Sequence, residues 1–333
     1  MKAQPALLTM ALGTLALGAQ DVEHWVNLRP SSSVELRFGD SVDFVGAPKC
    51  DGSGNVYARP VSNASGDYLR APIRAVGQDG KQLGTFSLTD AWPDALGRGV
   101  FVDAEGTLYQ ATIAPGGAYV VQFATDGSVK SKVKLETQGF LDPWHLVVYE
   151  SGRFLVSGTA GEGQRTPYTA VFERDGKLVK QIYEQEDEAA RKKAESGDTE
   201  FTHNSATGNR FVDLGDISLG SDGNAYMLHG TSPALVYVIS SKGKVIRKIR
   251  IGTDSSGRAF RSIESHGDRL AIGLASFGRI ELQLMDFEGT PLESYALDTD
   301  KSEVSRFACY DNRGFTFITA TSAGSVHLVS AKP

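Results

Sequence analysis

The sequence predicts an all-β fold: a six-bladed β-propeller closed by an N-terminal strand, with one helical insertion between blades three and four. Three observations support this prediction. A turn glycine recurs six times along the chain, and a second turn glycine follows in five of the six units. The last unit lacks its closing strand, and an extra strand of that pattern lies near the N-terminus. Repetition of one short all-β unit is typical of propellers and other repeat architectures.

Each unit begins with a turn that ends in glycine, and a strand of the Val-Tyr type follows. In the first unit, Gly54 precedes Val56 and Tyr57. In the fourth unit, Gly223 precedes the strand at 224–226. The full set of these first-turn glycines is Gly54, Gly106, Gly152, Gly223, Gly267 and Gly314. Six such starts predict six blades.

The second turn of each unit has the pattern of a hairpin. A glycine preceded by Asp or another polar residue supplies the positive φ that a two-residue hairpin turn needs. These second-turn glycines are Gly80, Gly127, Gly176, Gly243 and Gly289. Alternating strands follow them, as at 132–135 and 246–251, so each is expected to bury one face.

The two ends of the chain complement each other. The sixth unit stops at Pro333, before the strand that would close it, whereas residues 33–40 match the closing strands of the other units in pattern. Propellers commonly complete their last blade with a strand from the N-terminal end, which removes an exposed edge. We therefore expect residues 34–38 to supply the closing strand of blade six.

Two cysteines are present in the chain, so a disulfide-dense scaffold is excluded. In a closed ring, blades one and six are neighbours, and Cys50 and Cys309 fall at nearly equivalent places just before their first turns. A disulfide that locks the ring is one interpretation, because bridging needs Cα atoms within about 7 Å. Two buried, unpaired thiols are the alternative.

The units resemble those of six-bladed propellers of the NHL and TolB-like kind. The resemblance is strongest in the fourth unit, at 217–226 and 236–244. It rests on turn and strand residues, so it implies a fold and not an activity. Related propellers include lactonases, lyases and quinone-dependent sugar dehydrogenases, whose chemistry lies at the central channel. The resemblance therefore leaves a channel-centred enzyme as one alternative.

Residues 1–20 have the pattern of a signal peptide, with Lys2 followed by an apolar stretch from Ala6 to Leu17. That stretch is short for a membrane span, and an uncleaved anchor is the alternative. We expect an exported protein, periplasmic or extracellular, with no membrane span once the signal is removed. Residues 21–32 are then a leader, and 33–333 form a single propeller domain that works as a monomer.

Residues 183–210 are the one stretch that does not fit the repeat. In its first half acidic residues lead and basic residues follow, and Asp187 lies one helical turn before Arg191. This order predicts a helix. Because the insertion joins the last strand of blade three to the first strand of blade four, it must emerge on the face where the innermost strands begin.

Composition and motifs exclude several function classes. The formal net charge is −6, and the longest basic run is 191–193, so a nucleic-acid surface is not expected. The chain has no Gly-x-Ser-x-Gly elbow, His-Glu-x-x-His pair, Walker loop or EF-hand loop. We therefore assign no catalytic residue, no metal ligand and no cofactor from the sequence.

Charged residues near the starts of the innermost strands are the candidate ligand-binding residues. They are Arg98, His145, Asp216, Arg261 and Arg306. In a propeller these strand starts converge on one mouth of the channel. Because guanidinium groups bind carboxylates and phosphates bidentately, this mouth is expected to take an anionic small ligand or a protein partner.

The alternative is that these charges pair with one another, with Asp94, Asp142 and Asp216 as available partners. For Trp144, burial between blades is favoured over stacking on a ligand. The sequence thus favours an exported binding module. Its alternatives are a channel-centred enzyme of the lactonase, hydrolase, lyase or quinone-dependent dehydrogenase type, and an envelope scaffold.

Overall fold

A computed structural model describes residues 25–38, 42, 44–46, 48–61, 68–162, 165–182, 216–229, 234–251, 261–276, 278–300, 304–321 and 324–333. The predicted signal peptide at 1–20 and the predicted helical insertion at 183–210 lie outside these residues. Among them, no helix is long and apolar enough to cross a membrane.

The structure confirms the six-bladed propeller, and each blade is a four-stranded antiparallel sheet. The first three blades consist, from the channel outward, of β4 (Lys49–Cys50), β5 (Val56–Ala58), β7 (Ile73–Val76) and β8 (Gln82–Phe86); β9 (Leu96–Val102), β10 (Leu108–Ala114), β11 (Gly117–Phe123) and β12 (Val129–Lys134); and β13 (Leu141–Val148), β14 (Phe154–Ala160), β15 (Thr166–Phe172) and β16 (Leu178–Gln181).

The last three blades follow the same order. They consist of β17 (Asp216–Leu219), β18 (Ala225–His229), β19 (Leu235–Ile239) and β20 (Val245–Arg250); β21 (Ser262–His266), β22 (Arg269–Ser276), β23 (Arg279–Asp286) and β24 (Pro291–Asp298); and β25 (Val304–Asp311), β26 (Gly314–Ala320), β27 (Val326–Lys332) and β2 (Arg29–Leu36). The remaining elements are β1 (Val26–Asn27), β3 (Phe44–Val45), β6 (Pro60–Val61) and the short helix α1 (Leu88–Ala91).

The innermost strands form a closed ring around the channel. Each of β4, β9, β13, β17, β21 and β25 contacts the next, and β25 contacts β4. Between blades, apolar side chains form the core, and hydrogen bonds join neighbouring blades at some points. For example, the Tyr149 hydroxyl in blade three donates to the Ile239 carbonyl in blade four at 3.0 Å. The packed and hydrogen-bonded blades therefore enclose the channel.

The N-terminal segment completes blade six and also reaches blade five. β2 pairs antiparallel with β27, with Val34 opposite Leu328. It begins at Arg29, inside the range that the sequence assigned to a leader, and β1 pairs in parallel with β24 outside blade five. Leu28, between the two strands, is buried among residues of blades five and six. The mostly polar sequence of this segment hides its strand character, because most of its side chains face solvent.

The turns follow one local design. All first-turn and second-turn glycines have positive φ. The second turns are wider than the predicted two-residue loops: Gly127 N donates to Ala124 O at 3.0 Å, and Ala124 N donates to Ser128 O at 2.8 Å. This is the pattern of a turn followed by a left-handed glycine and a bulge. The Asp126 carboxylate accepts from the Ser128 N–H at 2.9 Å, which explains the recurrent Asp-Gly pair.

Cys50 of β4 and Cys309 of β25 form a disulfide, with their Cα atoms 5.9 Å apart. The bond joins blade one to blade six, the place where the ring closes. It therefore covalently links the first blade of the chain to the last.

We expect Gly127→Ala to lower the free energy of unfolding by about 1–3 kcal/mol, since an L residue at this φ of 86° is strained and its Cβ would overlap the Thr85 carbonyl oxygen of blade one. Gly139→Ala is the matched control, because Gly139 has a φ of 90° but no atom within 4 Å of an added Cβ. Urea denaturation measures the free energy of unfolding of both variants. Both carry the backbone strain, but only Gly127→Ala carries the clash, so it should lose more stability. Equal losses of stability would contradict the close approach of blades one and two.

The double variant Cys50→Ser/Cys309→Ser should lose about 2–5 kcal/mol of stability, because the disulfide restricts the unfolded chain. Denaturation with and without reductant measures this loss. Non-reducing peptide mapping should yield one cross-linked peptide containing both cysteines. Alkylation of both thiols without reductant would show that the ring closes without the bond.

Candidate functional site

The side chain of Lys49 crosses the channel from blade one to blades four and five. Its Nζ lies 3.0 Å from Asp216 Oδ1 and 2.8 Å from Glu264 Oε1. The same ammonium donates to the Ile217 carbonyl at 3.2 Å. We call Lys49, Asp216 and Glu264 the central ion cluster. It is largely buried and divides the channel into two cavities, both of which Lys49 lines.

Burial and charge act in opposite ways on the two ends of this cluster. Burial lowers the pKa of Lys49, but the carboxylates of Asp216 and Glu264 outweigh it, so the net shift is upward and the ammonium stays charged. Burial raises the pKa of Glu264 to about 7; the Lys49 ammonium opposes this rise and the Asp216 carboxylate adds to it. Glu264 therefore titrates near neutral pH.

The upper cavity, on the face where the innermost strands begin, has a volume of about 90 Å³. Arg59 lines this cavity. Its side chain is buried, with 5% of the residue exposed, and its Nη1 donates to the Gly97 carbonyl at 3.0 Å. Its guanidinium lies 5.3 Å from the ring centre of Tyr68. Burial lowers the pKa of Arg59. Within the described part of the chain, no carboxylate pairs with it and its Nε has no hydrogen-bond partner.

Arg98, beside Arg59, does have a carboxylate partner. Its Nε lies 2.7 Å from Asp142 Oδ1, and its Nη2 donates to Oδ2 at 3.1 Å. Arg165 shares the same buried carboxylate at 3.1 Å. Two guanidinium groups on one carboxylate leave a net positive charge at this side of the mouth.

Trp144 is not buried between blades, so that expectation is wrong. It is 41% exposed, and the Arg98 guanidinium lies 4.6 Å from its ring centre. The reason is a β-bulge: the register of β13 against β14 passes from Pro143 directly to His145, which leaves Trp144 out of the ladder. The bulge turns the indole toward the channel mouth.

Three of the five sequence candidates come together at the upper cavity, where Arg98, His145 and Asp216 line its wall. Arg306 is half-buried on β25, and its burial lowers its pKa, an effect that the nearby Tyr68 opposes. Arg261 is exposed and lines neither cavity. The paired-charge alternative also holds in part, because Asp142 pairs with Arg98 and Asp216 pairs with Lys49.

Sequence reasoning missed Lys49, Arg59 and Glu264. A signal was present in each case: Lys49 and Glu264 are charged residues in innermost strands, and Arg59 directly follows the apolar strand β5. Innermost positions surround the channel, so a charge there must meet either another charge or a ligand. Lys49 is the first residue of the two-residue strand β4, in the one blade that contributed no candidate, and Arg59 and Glu264 lie after the strand starts.

The lower cavity, on the face of the first turns, is larger, at about 530 Å³. Four aromatic residues are among those that line it: Phe101 and Tyr149, which are buried, and Tyr109 and Tyr310, which are half-buried. Its mouth carries carboxylates from the first turns and their neighbours. They are Asp51, Asp103, Glu105, Glu150 and Asp311. The channel thus has guanidinium groups at one end and carboxylates at the other.

Part of this acidic rim has a structural role. Asp51 Oδ1 accepts from the Ser53 and Asn55 N–H groups at 2.9 Å each, and Asp103 Oδ1 accepts from the Thr107 N–H at 2.7 Å. These bonds shape the first turns. Across the described residues, no group of three or more His, Cys, Asp or Glu side chains is arranged to hold a metal ion.

Comparison with known proteins adds the fold and no activity. No protein-family model and no curated protein matches the chain. Among solved structures, a protein provisionally named a gluconolactonase is 11% identical, with a TM-score of 0.54, over 92% of this chain and 94% of that one. A protein from Bacteroides fragilis that is provisionally named an exported protein is 12% identical, with a TM-score of 0.50, over 92% of this chain and 96% of that one.

A third structure, a protein of unknown function from Bacteroides caccae, is 11% identical, with a TM-score of 0.50, over 76% of this chain and 81% of that one. At such identities the likeness concerns the propeller fold alone.

Glu264→Gln should flatten the pH dependence of stability. Because the folded pKa of about 7 exceeds the ordinary value of 4.5, the contribution of Glu264 to stability is fully present below about pH 4.5 and is lost as the pH rises through 7. Each unit of this difference corresponds to about 1.4 kcal/mol. Urea denaturation across this range measures the effect, with Glu35→Gln on the exposed face of β2 as control. Parallel curves for wild type and Glu264→Gln would contradict the shift.

Proposed function

We propose that the protein is an exported binding module that takes an anionic group in its upper cavity, carried by a small ligand or by a protein partner. The observation that carries the proposal is Arg59, a guanidinium buried to 5% exposure with no carboxylate partner among the described residues. A buried charge without a counter-charge is costly. An anion bound in the cavity that Arg59 lines would remove that cost.

The size of the upper cavity limits what enters it. At about 90 Å³ it is far smaller than the ~300–1,000 Å³ of typical small-molecule pockets. It therefore takes one small group, such as a carboxylate, while the rest of the ligand stays outside. A carboxylate matches the planar donor edge of a guanidinium, which supports this class of anion.

The surroundings of the cavity supply a surface for the rest of the ligand. Tyr68 and Trp144 are 39% and 41% exposed, and each lies next to an arginine that lines the cavity. Tyr, Trp and Arg are the residue types that dominate binding energy at interfaces. Exposed rings beside an anion site suit a ligand whose charged end is attached to an apolar or aromatic body.

Two observations support export. The N-terminal pattern is that of a signal peptide. The disulfide between Cys50 and Cys309 belongs in an oxidising compartment.

Benzoate is a suitable probe, since it joins a carboxylate to an aromatic ring. We expect Arg59→Gln to weaken benzoate binding by about tenfold or more, because it removes a hydrogen bond to a charged group. Titration calorimetry or ligand-observed NMR at millimolar benzoate measures the affinity. Arg261→Gln is the matched control, because Arg261 is exposed and lines neither cavity.

Benzyl alcohol tests the charge without a variant, since it keeps the ring and lacks the carboxylate. The wild-type protein should bind it much more weakly than benzoate. Equal binding of the two probes, or unchanged benzoate binding by Arg59→Gln, would refute an anion site at Arg59.

A further inference from the structure

The lower cavity is separate from the proposed anion site, because the central ion cluster lies between the two. Its volume of about 530 Å³ falls within the ~300–1,000 Å³ range of small-molecule sites. Apolar and aromatic side chains form much of its wall, and Glu264 and Ser265 line it from blade five. It has the size and wall of a binding site for a whole small molecule.

The charge of the central ion cluster does not balance. With both carboxylates ionised, one ammonium faces two negative charges. Lys49 uses its three N–H groups on Asp216, Glu264 and the Ile217 carbonyl. Asp216 also accepts from two backbone N–H groups, those of Ile217 at 2.8 Å and Ile263 at 3.3 Å. The unbalanced charge therefore rests on Glu264.

Glu264 has one oxygen left for a ligand. Oε1 is bound to Lys49, whereas Oε2 accepts, among the described residues, only from the Ser218 hydroxyl at 3.5 Å. That hydroxyl also lies 3.0 Å from the Ser265 hydroxyl. Below about pH 7, a proton neutralises this carboxylate when no cation is bound, in agreement with the raised pKa of Glu264. A ligand ammonium group would replace the proton.

The walls and mouth of the lower cavity favour an organic cation. Aromatic rings attract cations, and two half-buried tyrosines, Tyr109 and Tyr310, are among the residues that line the cavity. The carboxylates at its mouth increase the local concentration of cations. A metal ion fits less well, because no metal-binding cluster of side chains is present among the described residues.

We propose that the lower cavity is a second binding site, which takes an organic monocation of the primary-amine class, with its ammonium group on Glu264 Oε2 and its apolar body against the cavity wall that includes Tyr109 and Tyr310. The inference does not rest on the anion site, since it concerns the opposite end of the channel and other residues.

Benzylamine is the probe, and benzyl alcohol is its neutral counterpart. The full-length wild-type protein should bind benzylamine at about pH 8 at least about tenfold more tightly than benzyl alcohol, because a hydrogen bond to a charged group is worth about 1.5–3 kcal/mol. Calorimetry or ligand-observed NMR measures both. Equal affinities, or no benzylamine binding at millimolar concentration, would overturn the proposal.

The pH profile gives a second readout. A proton on Glu264 competes with the ammonium group, so the affinity for benzylamine should rise between about pH 5.5 and 8. Other ionisable groups face Glu264 or the cavity. Lys49 and Asp216 face Glu264 within the cluster. His266, the carboxylates of the mouth and the tyrosines of the wall line the cavity. Glu264→Gln should remove the rise and lower the affinity about tenfold or more, whereas His266→Gln should keep the rise. A rise that persists in Glu264→Gln would place the cation elsewhere.

Crossed controls keep the two proposals apart. Arg59→Gln should leave benzylamine binding unchanged, and Glu264→Gln should leave benzoate binding unchanged. Loss of benzylamine binding in Arg59→Gln would contradict separate sites. If Glu264→Gln fails to fold, the wild-type comparison of the amine with the alcohol still decides the matter.

Discussion

Ring closure between blades one and six is the constraint on which the rest of the structure depends. Three features meet there: β2 pairs with β27, the disulfide joins Cys50 to Cys309, and Lys49 stands next to Cys50. β4 contains only these two residues, so its position relies on the disulfide and on two pairs with β5. The same short strand thus closes the ring and carries the cation that divides the channel.

The fold could be predicted because its signals are local. A turn that needs positive φ selects glycine wherever it recurs, and an Asp side chain that accepts a backbone N–H reinforces the turn. Eleven turn glycines of this kind can be recognised from the sequence without any tertiary information. The wider second turn was missed, because Asp-Gly occurs in both hairpin types.

The candidate site was harder to predict, because its members meet only across the ring. Lys49 contacts residues of blades four and five, which are far from it in the sequence, so no spacing pattern along the chain predicts the contact. Trp144 was misjudged for a different reason: its exposure depends on a bulge in β13, and the sequence around it does not show one. Arg98 could be predicted because it lies near the start of β9, a long strand that the sequence pattern identifies.

The closing strand has a consequence for how the molecule is made. β2 precedes blades one to five in the sequence and β27 follows them, so blade six can be completed only after the other blades have been synthesised. Pairing of such distant segments is slow, because the entropy of loop closure is lost before the new contacts stabilise the structure. Until β2 docks, β27 presents an open edge to other chains. Assembly is therefore most exposed to aggregation at its last step, and the strand that ends this exposure is synthesised before any of the other blade strands.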